Sequence, residues 1–241
     1  MPYRRRSYRS AVRADGLVPF TIRMGQSHLM ILAERDLRDR ARDSLRRVRS
    51  ELQAYCRRDR AFAEAMKPYD VGDDAPDVVR RMAVAARVAD VGPMAAVAGA
   101  VAQTVGVALD DVSSEVVVEN GGDVYMRITR PRTVGVFAGG SRLSGAVAIT
   151  IRAEETPLGV CCSSATVGPS ISFGLADAAV VVAGDTALAD AVATGLGNRV
   201  RSVGDIEAAL AWALSRQGVR GALVVLGEAF GAQGAITLAA T

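Results

Sequence analysis

This chain is short of the residues from which most catalytic machinery is built. In 241 residues it has one histidine, His28, and three cysteines, Cys56, Cys161 and Cys162. One imidazole excludes a histidine-rich zinc site and any serine–histidine or cysteine–histidine pair not built on His28. Three cysteines without a Cys-x-x-Cys spacing do not form a disulfide framework. No apolar run reaches the roughly 20 residues that a membrane-spanning helix needs. The basic start, Met1-Pro2-Tyr3-Arg4-Arg5-Arg6, has no apolar stretch behind it, so no secretory signal is expected and a cytoplasmic location is. Aromatic residues make up 5% of the chain while hydrophobic residues make up 50%, so the core must be built from small side chains, mostly Ala and Val.

The net charge of +3 hides an asymmetry. Residues 1–60 carry 16 arginines and 7 acids, whereas residues 61–241 carry 13 basic and 19 acidic side chains. A basic N-terminal face can meet nucleic acid or an acidic surface. Here the arginines alternate with Asp36, Asp39, Asp43, Glu51 and Asp59, and no nucleic-acid motif accompanies them. A solvated face of an amphipathic helix is the better reading, and neither nucleic acid nor membrane is expected as a partner.

What is present is a clear order of elements. Residues 17–23 and 29–33 read as two strands around a turn, with His28 beside it as a surface or strand-edge residue. Leu37, Ala41, Leu45, Val48, Leu52 and Tyr55 recur at helical spacing and predict one long amphipathic helix over residues 36–60. A linker at 67–75 leads into a helix opened by Pro76 and running to 89. A second break at Val91-Gly92-Pro93 opens a helix over 93–105 that is apolar all round and therefore buried. Strands are expected at 115–119, 123–129, 133–138 and 145–151, as a meander, and again at 158–162 and 178–183. Helices follow at 186–196 and 204–216, then a closing hairpin of 222–226 with 235–239. This order suggests an α+β protein with helices layered on a mostly antiparallel sheet.

Several stretches can carry chemistry. Glu119-Asn120-Gly121-Gly122-Asp123 lies between β-branched runs. It is either an ordinary hairpin turn or a turn whose amides cradle an anion. Asp190 and Thr194 are four apart on a helix and share a face. They are hard oxygen donors that suit Mg²⁺, or they are caps and surface contacts. Cys161, Cys162, Ser163 and Ser164 end a strand at a polar loop over 163–170, where a thiolate can be activated by amides or the cysteines can simply be small core residues. The glycine-rich stretch 133–144, with Ser141 and Arg142, has neither Walker nor dinucleotide-fingerprint spacing.

Taken in order, these stretches resemble the short, uncharacterised relatives of the ApbE flavin transferases, uncharacterised protein family 0280. The resemblance spans almost the whole chain. It is carried by Val91-Gly92-Pro93-Met94-Ala95-Ala96-Val97-Ala98-Gly99-Ala100, Val118-Glu119-Asn120-Gly121-Gly122-Asp123 and Pro131-Arg132-Thr133-Val134-Gly135. It continues in Thr156-Pro157-Leu158-Gly159-Val160-Cys161, Ser172-Phe173-Gly174, Ala176-Asp177-Ala178 and Leu188-Ala189-Asp190-Ala191-Val192-Ala193-Thr194.

The resemblance implies a single ApbE-like domain over 1–241, with a basic strand-helix region at 1–66. The implied fold is a tunnelling-fold-related α+β arrangement, a layered sheet of mostly antiparallel strands with packed helices. By similarity, Asp190 and Thr194 match the metal ligands for Mg²⁺. Gly121, Gly122 and Asp123 match the segment near the dinucleotide of FAD, and Ser163 and Ser164 match the Thr-Ser-Gly-type loop; Cys161 joins them in the same pocket. Two departures stand out. Residues 95–99 lack the lysine of the transferases' Ala-Lys-Gly, and Pro169 stands where short relatives often carry a histidine. The implied activity is flavin-nucleotide binding with Mg²⁺, extending to FMN transfer in a working transferase. The alternatives are a sulfur- or thiol-metabolite protein using Cys161, and a non-catalytic oligomeric binding protein. A small-molecule ligand and a homo-oligomer such as a dimer are expected.

Overall fold

The computed structural model describes residue 9, residues 14–165 and residues 173–240 of the chain. The basic start at 1–6, residues 166–170 of the polar loop, and Ser172 lie outside the described residues.

An eight-stranded sheet, antiparallel at every pairing, carries the fold. It takes β1 (Val18–Met24), β2 (Ser27–Ala33), β3 (Val116–Asn120), β4 (Asp123–Arg127), β7 (Leu158–Ser163), β8 (Ala178–Ala183), β9 (Val219–Leu226) and β10 (Ala229–Gly234), in that spatial order. A second sheet of three strands is ordered β11 (Thr237–Ala240), β6 (Val147–Ile151) and β5 (Arg132–Gly135). The alternation of residues along β8 shows how the layers meet. Ala179, Val181 and Ala183 face the helices, while Ala178, Val180 and Val182 face the small sheet. A strand covered on both faces can be apolar at every position, which is why the run Ala-Ala-Val-Val-Val-Ala shows no polar alternation.

The helices form the other layer: α1 (Arg38–Arg58), α2 (Arg60–Glu64), α3 (Asp77–Ala89), α4 (Val97–Val107), α5 (Thr186–Arg199) and α6 (Ile206–Leu214). On α1 the buried residues are Ala41, Ser44, Leu45, Val48, Leu52 and Tyr55, following the expected stripe. Asp59 ends α1, and its side chain accepts the Phe62 amide at 3.0 Å, so the helix expected over 36–60 breaks two residues early. Arg40 of this helix pairs with Asp111. The apolar segment expected over 93–105 begins as a 3-10 turn, Pro93–Ala96, before α4. Among the described residues no single helix is long and apolar enough to cross a membrane; α3 and Pro93–Val107 reach that length only together and bend by 105°.

Two expectations are corrected. The strands of 115–151 do not form one meander. β4 pairs with β7, while β5 and β6 leave for the small sheet. The closing hairpin is β9 with β10, which the expectation read as a loop over 227–234; the segment expected as its second strand becomes β11 and pairs with β6. Gly227 and Gly234, both at positive φ, supply the two turns that make this change of sheet possible.

Candidate functional site

The site gathers where the β3–β4 turn, the end of β7 and the face of α5 converge. Asn120 pairs with Asp123 across a two-residue turn of Gly121 and Gly122, at φ +79° and +110°. Both values favour glycine, so the Gly-Gly pair is required by the turn itself. Asn120 and Asp123 point toward the helices. The Asn120 side chain donates to the Ala98 carbonyl at 3.1 Å, tying the hairpin to the start of α4. α5 lies across β7, with Thr186 against Gly159, Asp190 beside Cys161, and Gly197 against Ser163.

Asp190 is the hub. It is 9% exposed, and its Oδ2 accepts the Gly99 amide at 2.8 Å. The Ala98 amide also favours its charged form. These are amides of the first turn of α4, which have no partner within the helix and carry its positive end. The anion that the start of this helix binds is thus a carboxylate of the protein's own. Burial nevertheless pushes the Asp190 carboxyl well above the usual carboxylate range, and the neighbouring charge of Asp123 pushes it the same way. Asp123 is itself buried, at 6% exposure.

Cys161 completes this group. It is fully buried, and its Sγ donates to the Thr186 carbonyl at 3.4 Å. Burial, followed by the charges of Asp123 and Asp190, holds its thiol well above the ordinary range. Cys162, half-buried on the other face, is pushed up to about 12 by burial and by Asp123. Of the two readings of this strand end, small core residues and an activated thiolate, the surroundings favour the first: two carboxylates and a dry core hold Cys161 as the thiol.

The other expected residues fall close by. Thr194 stands half-buried one turn along α5 from Asp190. Ser163 is buried, and its Oγ has no hydrogen-bond partner among the described residues. Ser164 is buried just past the end of β7. The Gly122 turn folds toward this strand end, since a Cβ there would lie 3.9 Å from the Cys162 carbonyl. The structure thus brings Gly121, Gly122, Asp123, Cys161, Ser163, Ser164, Asp190 and Thr194 to one end of the sheet. Among the described residues, no group of three or more His, Cys, Asp and Glu side chains is arranged to hold a metal ion. A two-carboxylate site with a hydroxyl is nevertheless in keeping with Mg²⁺, which takes one or two carboxylates and fills its shell with water and phosphate oxygens.

Sequence reasoning missed the residues that support the site. Gln103 and Asp185 hold the start of α5: Gln103 Oε1 accepts the Thr186 amide at 2.7 Å, and Asp185 Oδ1 accepts the Leu188 amide at 2.9 Å. Asp185 before a helical run is a readable cap signal; nothing in the local pattern marks Gln103. Gly99 has a packing role, because a Cβ there would come within 2.4 Å of the Thr186 carbonyl.

A family profile described as AbpE bacteria matches residues 9–231. A UPF0280 protein of Methanocella arvoryzae is 45% identical over 187 residues, covering 77% of this chain and 76% of that relative. One from Methanosarcina acetivorans is 39% identical over 199 residues, covering 81% and 78%. Among solved structures, the flavinyl transferase ApbE of Pseudomonas stutzeri, in its apo form, superposes with a TM-score of 0.60 at 15% identity, covering 90% of this chain and 94% of that one. The flavin transferase ApbE of Vibrio cholerae gives 0.59 at 12% identity, covering 90% and 96%. At these identities the likeness concerns the fold, and it bears out the ApbE-like α+β expectation.

Proposed function

The chain belongs to the UPF0280 family of ApbE-like proteins, and on that footing we propose that it binds a flavin nucleotide, FAD, together with Mg²⁺ at the junction of α5 and the β3–β4 turn. The observation that carries this reading is the pair of buried carboxylates, Asp123 and Asp190, set at a glycine turn with Thr194 one helical turn away. Two neighbouring carboxylates in a dry site repel, and a divalent cation removes that cost. Hard oxygen donors and few of them suit Mg²⁺.

In this reading Asp190 and Thr194 hold the cation, with Asp123 beside them. The amides of Gly99 and Ala98 fix the Asp190 carboxylate. Gly121 and Gly122 let the backbone approach the dinucleotide closely, and Ser163 and Ser164 offer hydroxyls at the rim. When bound, Mg²⁺ would supply charge neutralisation at the pyrophosphate. The proposal stops at binding.

The test is calorimetric titration of FAD into the purified protein with and without Mg²⁺. Binding is expected to require Mg²⁺ and to be lost in Asp190→Ala. Equal affinity in the presence of a chelator, or in Asp190→Ala, would remove the metal assignment.

A further inference from the structure

The Gly121–Gly122 turn is gripped from the face of the sheet opposite the helices by a residue from the start of the chain. Glu119 shares that face of β3 with Val117. Its Oε1 accepts the Gly122 amide at 2.9 Å, and its Oε2 accepts Arg9 Nε at 2.6 Å. Arg9 Nη2 also pairs with Glu119 Oε2 and donates to the His28 carbonyl at 2.7 Å. His28 precedes Leu29, the partner of Asn120, so one guanidinium spans β2 and β3 beside the turn. The Arg9 and Glu119 side chains are only 11% and 8% exposed. The remaining nitrogen of Arg9, Nη1, is buried with no hydrogen-bond partner among the described residues. That is a desolvation cost which an arginine tethering a loose terminus in water would not incur.

We propose that Arg9 is a positioning residue of the ligand site. Through Glu119 it selects one conformation of the turn, and so fixes where Asp123 stands relative to Asp190. Two consecutive glycines leave the turn many conformations. A two-point, charge-assisted contact with one carboxylate, whose second oxygen holds the turn amide, reduces them to one. The consequence for ligand rests on the flavin-nucleotide reading; the consequence for the turn does not.

The experiment measures amide hydrogen exchange and Mg²⁺-dependent FAD affinity in the full chain, for the wild type, Arg9→Ala, Arg9→Lys and Glu119→Gln. In Arg9→Ala, exchange at Gly122 should rise about tenfold, the order expected for loss of one charge-assisted contact. Exchange in β8 should stay at its wild-type value. FAD affinity should fall by a similar factor, with Arg9→Lys recovering part of both losses and Glu119→Gln reproducing the weakened turn. Unchanged exchange at Gly122 overturns the inference. So does exchange that rises equally in β8, which would make Arg9 a general stabiliser, or a loosened turn with unchanged affinity. A wild type that binds no FAD overturns the flavin reading alone, and the exchange data then still decide whether Arg9 sets the turn.

Discussion

Asp190 is pulled two ways, and the balance fixes its response to pH. Burial and the charge of Asp123 favour its protonated form, while the amides of Gly99 and Ala98 favour the carboxylate; burial wins. Its folded-state pKa therefore lies above the value of about 3.9 expected in an unfolded chain. Between those two values the folded protein binds more protons than the unfolded one, so stability must fall as pH rises through that interval. Without Mg²⁺, the urea midpoint is expected to drop from about pH 4 upward. Asp190→Asn should flatten the profile, because an amide oxygen can still accept the Gly99 amide without carrying charge. Parallel profiles for wild type and variant would show that Asp190 does not carry the shift. That Asp190 and Thr194 stand one turn apart on one helix was legible from their spacing. The meeting of Asp190 with Asp123 and Cys161 was not, because it is made by strand register and helix packing between distant stretches.

At the scale of elements, the closeness of α4 and α5 decides whether the site exists. Helical periodicity foretold both helices and the buried character of α4. It could not say which helix meets which, since an all-apolar surface has no unique face. Gly99 settles it: a Cβ there would lie 2.4 Å from the Thr186 carbonyl and 2.8 Å from the Asp190 Cβ, and a backbone carbonyl cannot give way. Gly99→Ala must push the helices apart. Overpacking of this kind costs about 1–3 kcal/mol, and here it also moves the amide that holds Asp190. The variant is expected to unfold at lower urea and to lose Mg²⁺-dependent FAD affinity. Gly140→Ala is the control, since its Cβ would meet nothing within 4 Å. Gly99→Ala that retains wild-type affinity would separate the α4 contact from binding.

At the scale of the whole molecule, the large sheet divides the described residues into two cores, and the one on the helix side borders the site. The residue pattern marked strands at 115–119, 123–129 and 158–162. It could not show which strand pairs with which. β4 to β7 and β11 to β6 are pairings across long stretches of chain, which local patterning does not encode. The consequence is a division of labour that can be tested. Ile149 is 1% exposed in the core between the small sheet and the large one, on the face away from Asp123, Cys161 and Asp190. Ile149→Val removes one buried methylene and should cost about 1 kcal/mol, read as a lower urea midpoint. Because the large sheet stands between that cavity and the turn at Gly121 and Gly122, FAD affinity in Mg²⁺ should match the wild type, in contrast with Gly99→Ala. A loss of affinity in Ile149→Val would mean that the two layers move together and that the small sheet helps to shape the ligand site.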